Sequence, residues 1–356
     1  MPNDHAQTIE VPWEIRKLRY ALKTGAGGAL ALFIVSALGL TYGFTAMSGV
    51  HMLMTAHRKQ SLDDAVMRLA GPVLAGLVCV GILQIFDAMP GIGLLLITAF
   101  IFWMAFRMME DSFRYGRLFA ILTILLVFYI HSTDSANTWW FMLDWIPAVA
   151  VGVCTAFVMV LVFWPGESAV FHKNLWIERT NDWKWENIAG AARMTVTAMT
   201  LLLTAISINP PGAEQMLVSG MILSAAPHSG AAMEKGWHRT LGVMLGGLAG
   251  IFTLELIANM SGFTILIVCS VVFLSFFCWL GLQNESLAYP FAQAGLVYSL
   301  VIMPLDGRLG DFGNATERLW GIAFGWAIAS LFWTLPVIPR WLIALRESRE
   351  TGVAVT

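Results

Sequence analysis

Twelve apolar segments, separated by short polar stretches, account for most of this chain of 356 residues. Most of them have the length of roughly twenty residues with which a helix crosses a hydrocarbon core of about 30 Å. Only 12% of the residues are charged, about half the share of a soluble domain. The sequence therefore predicts an all-α integral membrane protein. The segments are 21–41, 43–56, 68–86, 91–106, 116–131, 143–164, 188–207, 213–226, 239–258, 261–280, 286–304 and 318–336.

The second and eighth segments, 43–56 and 213–226, are shorter than most. At a rise of about 1.5 Å per residue, a helix of that length reaches only about 21 Å. Each is therefore predicted to be a half-span, a tilted short helix, or a helix that its polar flank extends.

The chain also repeats itself at an offset of 171 residues. Arg68-Leu69-Ala70-Gly71 returns as Arg239-Thr240-Leu241-Gly242, and Ser48-Gly49 returns as Ser219-Gly220 within the second short segment. Two matches in one register predict a duplicated helix bundle. Duplicated membrane bundles with short, glycine-interrupted segments at corresponding places are typical of transporters, whose substrate site lies between the halves.

Basic residues indicate how the segments are oriented. If the N-terminus is cytoplasmic and all twelve segments cross the membrane, nineteen of the 21 Lys and Arg residues lie on the cytoplasmic side. Such an excess is typical of cytoplasmic loops. About twelve transmembrane helices with cytoplasmic termini are therefore predicted. Because six crossings is an even number, both halves enter the membrane in one direction and form two parallel six-helix repeats.

The polar stretches between these segments divide the chain into five parts. The predicted parts are a cytoplasmic interfacial segment (1–20), a first six-helix membrane repeat (21–165), a cytoplasmic linker (166–187), a second six-helix membrane repeat (188–337) and a cytoplasmic tail (338–356). Four cysteines lie inside apolar runs without metal-ligand spacing, so neither a disulfide nor a metal site is predicted.

Three features carry a resemblance to a known family. Lys23 and Arg193 are basic residues that open the first span of each half, a small-residue pair lies in each short second span, and Arg-x-x-Gly begins each third span. In these features the chain resembles the superfamily of fusaric acid resistance proteins and aromatic acid exporters, over roughly residues 15–165 and 185–340. Longer members carry a large cytoplasmic domain, in whose place this chain has only the linker, so it resembles a compact member.

The resemblance implies a multi-pass protein of the bacterial inner membrane that exports aromatic or other small organic acids. It also implies two protein partners, a periplasmic adaptor of the membrane-fusion type and an outer-membrane channel.

The short segments contain the first group of candidate substrate-binding residues. These are Ser48, Gly49 and His51 in the first half, and Ser219 and Gly220 in the second. They place hydroxyls, an imidazole and glycine backbone at mid-depth, where polar groups are tolerated only under a cover of protein or water.

Arg68 and Arg239, one in each half, are further candidates with two open interpretations. An arginine binds a carboxylate through two parallel hydrogen bonds, so the pair could attract an acidic substrate at the cytoplasmic mouth. Alternatively, each side chain reaches the lipid headgroups and anchors the end of a helix.

Glycines and two ionisable residues complete the candidate set. His51 and Glu255 are candidates for proton coupling, because histidine titrates near neutral pH and ionisable groups within spans are functional hypotheses. Each could equally be an interfacial residue. A packing role is predicted for five glycines of the third and ninth segments, since small residues let membrane helices approach closely. They are Gly71, Gly76, Gly242, Gly246 and Gly250.

No phosphate-binding loop, metalloprotease motif or nucleophile elbow occurs in the sequence. The chain is therefore predicted not to be an enzyme, to need no cofactor and to bind no nucleic acid. The first hypothesis is a gradient-driven efflux transporter for small organic acids in the lipid bilayer. An organic-anion channel is the alternative, followed by a membrane enzyme or assembly scaffold. The substrate, the coupling ion, assembly with the two partners and a homo-oligomeric state stay open.

Overall fold

A computed structural model describes residues 13–55, 62–110, 114–163, 185–225, 229–260, 262–303 and 312–334. Within these ranges the chain forms twelve α-helices, one 3-10 turn and no β-strand, which confirms the predicted all-α membrane fold. The helices are α1 (Trp13–Ala37), α2 (Gly43–Thr55), α3 (Leu62–Ile85), α4 (Pro90–Glu110), α5 (Arg114–Thr133), α6 (Thr138–Phe163), α7 (Trp185–Ile208), α8 (Ala213–Ser224), α9 (Ser229–Met260), α10 (Phe263–Gln283), α11 (Glu285–Ile302) and α12 (Phe312–Thr334).

Every predicted apolar segment overlaps one of these helices, and the two short segments form the short helices α2 and α8, of 13 and 12 residues. Polar residues extend other helices beyond their apolar parts. α1 begins at Trp13, inside the stretch assigned to an interfacial segment, and Lys17 forms an ion pair with Glu14 one turn earlier. Such pairs stabilise a helix without contributing to hydropathy.

Seven of the described helices are long and apolar enough to cross a membrane, namely α1, α4, α5, α6, α7, α9 and α10. The apolar parts of α3 and α11 are shorter, at Leu69–Ile85 and Ser286–Ile302. Large apolar side chains such as Leu95 and Leu248 are exposed, as lipid-facing residues are. The chain is a multi-pass membrane protein, and the crossing of all twelve helices stays a prediction.

Helices pack in the same pattern in both halves, α1–α6 and α7–α12. α3 packs on α5 as α9 packs on α11, and α2 packs on α6 as α8 packs on α12. The contacts between the halves are reciprocal too, because α1 packs on α10 while α7 packs on α4, and α2 contacts α11 while α8 contacts α5. A two-fold axis relating the halves would produce this pattern, which agrees with the repeat in the sequence.

The glycines predicted to serve packing lie at close helix contacts. A Cβ atom at Gly71 would lie 2.5 Å from the carbonyl oxygen of Gly116 in α5, and one at Gly246 would lie 2.1 Å from that of Ala294 in α11. No side chain fits at such distances, so the glycines allow these helices to touch. Added Cβ atoms would also collide with neighbouring helices at Gly76, Gly242 and Gly250.

Candidate functional site

A cavity of about 100 Å³ lies where the two halves meet. Its walls come from α2, α3, α5 and α6 of the first half and from α8 and α11 of the second. Both short helices therefore line it, and α2 contributes the largest share of its residues. An apolar cavity of about 150 Å³ can hold benzene, so a single aromatic ring would fill this one and push its walls slightly outward.

Most of the cavity wall is apolar, and part of it is aromatic. Phe44, Phe119 and Trp145 line the cavity together with aliphatic side chains. Trp145 also belongs to an aromatic cluster behind the wall, where its ring centroid lies 5.6 Å from that of Tyr42 and 5.2 Å from that of Phe141. The cluster fixes the indole in place, which gives the cavity a rigid aromatic side suited to a flat ligand.

Polar side chains in the wall fall into two groups. Ser48 and Thr123 donate hydrogen bonds to carbonyl oxygens of their own helices, at 3.3 and 2.9 Å. In contrast, Thr45 Oγ1, Trp145 Nε1 and Gln215 Oε1 are buried and have no hydrogen-bond partner among the described residues. A buried polar atom without a partner costs about 1–3 kcal/mol. The residues of the wall therefore carry polar atoms without partners, which their neighbours cover, and none of the described lining residues has a titratable side chain.

Only part of the predicted short-helix site reaches the cavity. Ser48 and Gly49 on α2 line it, whereas Ser219 and Gly220 on α8 do not. Ser219 is fully buried and accepts a hydrogen bond from Arg239 Nε at 2.8 Å. Gly220 packs against α7 and α12, and a Cβ atom there would lie 2.5 Å from a leucine methyl group. The two counterparts thus serve interhelical contacts in the second half.

Arg239 points into the bundle with only 1% of its surface exposed. Besides the bond from Nε to Ser219, its Nη1 donates to Gln293 Oε1 on α11. The Tyr289 side chain on the same helix is a further hydrogen-bond partner of the guanidinium. This placement does not fit an anchor at the lipid headgroups. A buried cation inside a membrane protein is costly unless polar groups surround it. The hydrogen bonds that surround this guanidinium connect α9 with α8 and α11.

Arg68, the counterpart of Arg239, lies on α3 one helical turn before the cavity-lining Pro72. Its side chain is outside the part of the structure that is described, so its predicted role stays a prediction.

Two positions of the cavity wall correspond to hydrogen-bonded residues in the second half. Ser48 and Leu122 line the cavity, and their counterparts at an offset of 171 are Ser219 and Gln293. These counterparts are the two hydrogen-bond partners of Arg239. The same location is thus open in one half and bridged by a hydrogen-bonded guanidinium in the other.

The candidates for proton coupling occupy different environments. His51 is fully buried between the halves, where its ring packs on Gly295 of α11 so closely that a Cβ atom there would lie 2.1 Å from Nε2. Glu255 is exposed near the end of α9 and accepts a hydrogen bond from Asn259 at 3.0 Å. Neither residue lines the cavity.

Most residues of the cavity wall were not predicted from the sequence, and of the three with an unpartnered polar atom two had a usable signal. Thr45 lies three residues before Ser48, on the same face of α2. Gln215 is a polar residue at the start of the other short helix. Trp145 is one of 15 tryptophans and has no local feature that separates it from the rest.

Comparison with known proteins identifies one family. The sequence model described as fusaric acid resistance protein-like matches residues 30–159 and 198–332, which together make up well over half of the chain. The two matched stretches fall in the two halves, and the resemblance seen in the sequence is confirmed. No curated protein and no solved structure matches the chain significantly.

Proposed function

The chain belongs to the fusaric acid resistance protein-like family, and from this we propose that it exports small organic acids, aromatic ones above all, or related toxic compounds. Membership supports a membrane transport or efflux role in general. The proposal goes further, to a secondary transporter of the bacterial inner membrane.

The observation that carries this proposal is the ring-sized cavity between the halves. Transporters built from two repeats bind their substrates at the interface between the repeats, and both short helices line the cavity here. Its aromatic side, with Phe44 and Trp145, suits the ring of an aromatic acid. Ser48 and Gly49 of the predicted site contribute to the same wall.

In the proposed cycle, relative movement of the halves opens the cavity to one side of the membrane and then to the other. His51 is the better placed of the two candidates for proton coupling, because it packs on α11 at the contact between the halves. Arg68, one turn from the cavity wall, is proposed to attract acids at the cytoplasmic mouth. Arg239 is proposed to fix the second half, against which the first half moves.

Export across both membranes of a Gram-negative cell would require a periplasmic adaptor and an outer-membrane channel, and we propose both as partners. A gene for an adaptor of the membrane-fusion type beside the gene for this chain would support this part of the proposal. Co-purification of that adaptor with the full-length protein is the direct measurement.

Transport by purified protein in lipid vesicles tests the proposal. Vesicles with an imposed proton gradient should take up labelled benzoate faster than protein-free vesicles measured in parallel, which give the rate at which the neutral acid crosses the bilayer unaided. Movement should saturate with substrate and stop when the proton gradient is collapsed. Through an organic-anion channel the added movement would follow the membrane potential and not the proton gradient. Vesicles no faster than the protein-free control would contradict any transport of this compound.

A further inference from the structure

As far as the described residues show, the cavity wall consists of aromatic and aliphatic groups with a few polar ones, and it has no charged group. Among the residues that line it, none carries a titratable side chain. An ionised carboxylate would lose its hydration there without meeting a cation, which is costly in an apolar environment. The wall therefore selects against the ionised form of an organic acid.

The three unpartnered atoms have complementary hydrogen-bonding roles. Trp145 Nε1 can only donate a hydrogen bond, Gln215 Oε1 can only accept one, and the hydroxyl of Thr45 can do either. All three side chains are more than nine-tenths buried, with exposed fractions of 8%, 2% and 9%. All three atoms are covered by their neighbours in the empty cavity. A ligand that satisfies them must therefore turn these side chains toward itself, and it needs one acceptor and one donor. A neutral carboxyl group has both, whereas a carboxylate has acceptors only.

We propose that this cavity binds a single-ring aromatic compound in its uncharged form, and that it takes an aromatic acid with its carboxyl proton attached. The ring fills the space beside Phe44 and Trp145, and the neutral carboxyl group bonds to the unpartnered polar atoms once their side chains turn toward it. This inference rests on the proposed export function and specifies which protonation state of the acid is bound.

Three benzene derivatives test it with the full-length protein in lipid nanodiscs, by ligand-observed NMR against empty nanodiscs. Benzamide is neutral at every pH, benzenesulfonate is always ionised, and benzoic acid changes between the two forms. Benzamide should bind equally at every pH. Apparent affinity for benzoic acid should fall about tenfold for each pH unit above its pKa of about 4, in step with its neutral fraction. Benzenesulfonate should not displace benzamide.

Two variants locate the binding. Trp145→Phe removes the indole N–H and Gln215→Leu removes the side-chain amide, and each should weaken benzamide binding severalfold. Their controls, Trp139→Phe on α6 and Gln84→Leu on α3, change exposed residues outside the cavity and should bind benzamide as the unaltered protein does.

The inference is overturned if benzenesulfonate competes with benzamide, if the affinity for benzoic acid does not change with pH, or if no probe binds. It is also overturned if both cavity variants bind benzamide normally. Vesicle transport of benzoate separates this inference from the proposed function. Transport without preference for the neutral form removes only the inference, and the preference without transport removes only the export function.

Discussion

Two adjacent glycines on α9 provide a matched test of how the bundle is packed. Gly246 faces α11, where an added Cβ atom would lie 2.1 Å from the carbonyl oxygen of Ala294. The nearest atom to a Cβ at Gly247 is a methyl group of Leu319, at 3.8 Å. Both substitutions, Gly246→Ala and Gly247→Ala, add a methyl group to the same helix. In Gly246→Ala it collides with the backbone of α11, whereas in Gly247→Ala it makes an ordinary van der Waals contact.

The expected energies have opposite signs. Ordinary contact begins near 3.4 Å, so Gly246→Ala must separate α9 from α11 by more than about 1 Å, since a backbone carbonyl cannot rotate away. Overpacking of this kind costs about 1–3 kcal/mol, and a backbone contact belongs at the upper end of that range. Each substitution also gains about 1 kcal/mol of helix propensity. The net expectation is about 2 kcal/mol of destabilisation for Gly246→Ala and up to about 1 kcal/mol of stabilisation for Gly247→Ala.

Thermal unfolding of both variants in the same detergent measures this difference. A change of 1 kcal/mol moves the Tm by about 2–4 °C in domains of 150–250 residues, so the two variants should differ by several degrees, with Gly246→Ala the lower. Equal Tm values for Gly246→Ala and the unaltered protein would refute the close contact between α9 and α11.

Three further predictions concern the polar network, the short helices and the topology. Arg239→Lys loses the planar fork that reaches two partners, and should cost about 2 kcal/mol of unfolding free energy; normal stability would show that the fork is not needed. Gly49→Leu should fill the cavity and abolish vesicle transport with a near-normal Tm, whereas Gly220→Leu should lower the Tm, because of its contacts with α7 and α12; the opposite ranking would contradict the assigned positions. Reporter fusions should be periplasmic after Thr138 and cytoplasmic after Asn181, and a reversal would exclude the twelve-crossing topology.

The helices could be predicted because each depends on a local property, the length of an apolar run. The ends of the helices could not always be predicted, because α1 and α9 begin with polar residues that give no hydropathy signal. Mean hydropathy therefore locates the part of a helix that lies in lipid and says little about where its backbone hydrogen bonds begin.

The site was predictable only in part, because it depends on contacts between distant helices. The short helices were recognised from their length, and Ser48 and Gly49 reach the cavity. Sequence symmetry made Ser219 and Gly220 look equivalent to them. Gln293, whose counterpart Leu122 cannot accept a hydrogen bond, gives the buried arginine a partner that exists in only one half. Equivalent serines in the two halves therefore have different contacts, because the residue on the neighbouring helix differs.

The pairing of α1 with α10 has a consequence for how the chain is made. Thr24 on α1 contacts Cys278 on α10 across 254 residues of sequence, and Gly25 fits against Ser275 in the same contact. At a synthesis rate of about 5–20 residues per second, α1 waits roughly 13–50 s after leaving the ribosome before its partner exists. During that time the face of α1 that carries Gly25 contacts lipid or another helix. If synthesis stops before α10 is complete, α1 stays in the membrane without the helix against which it packs.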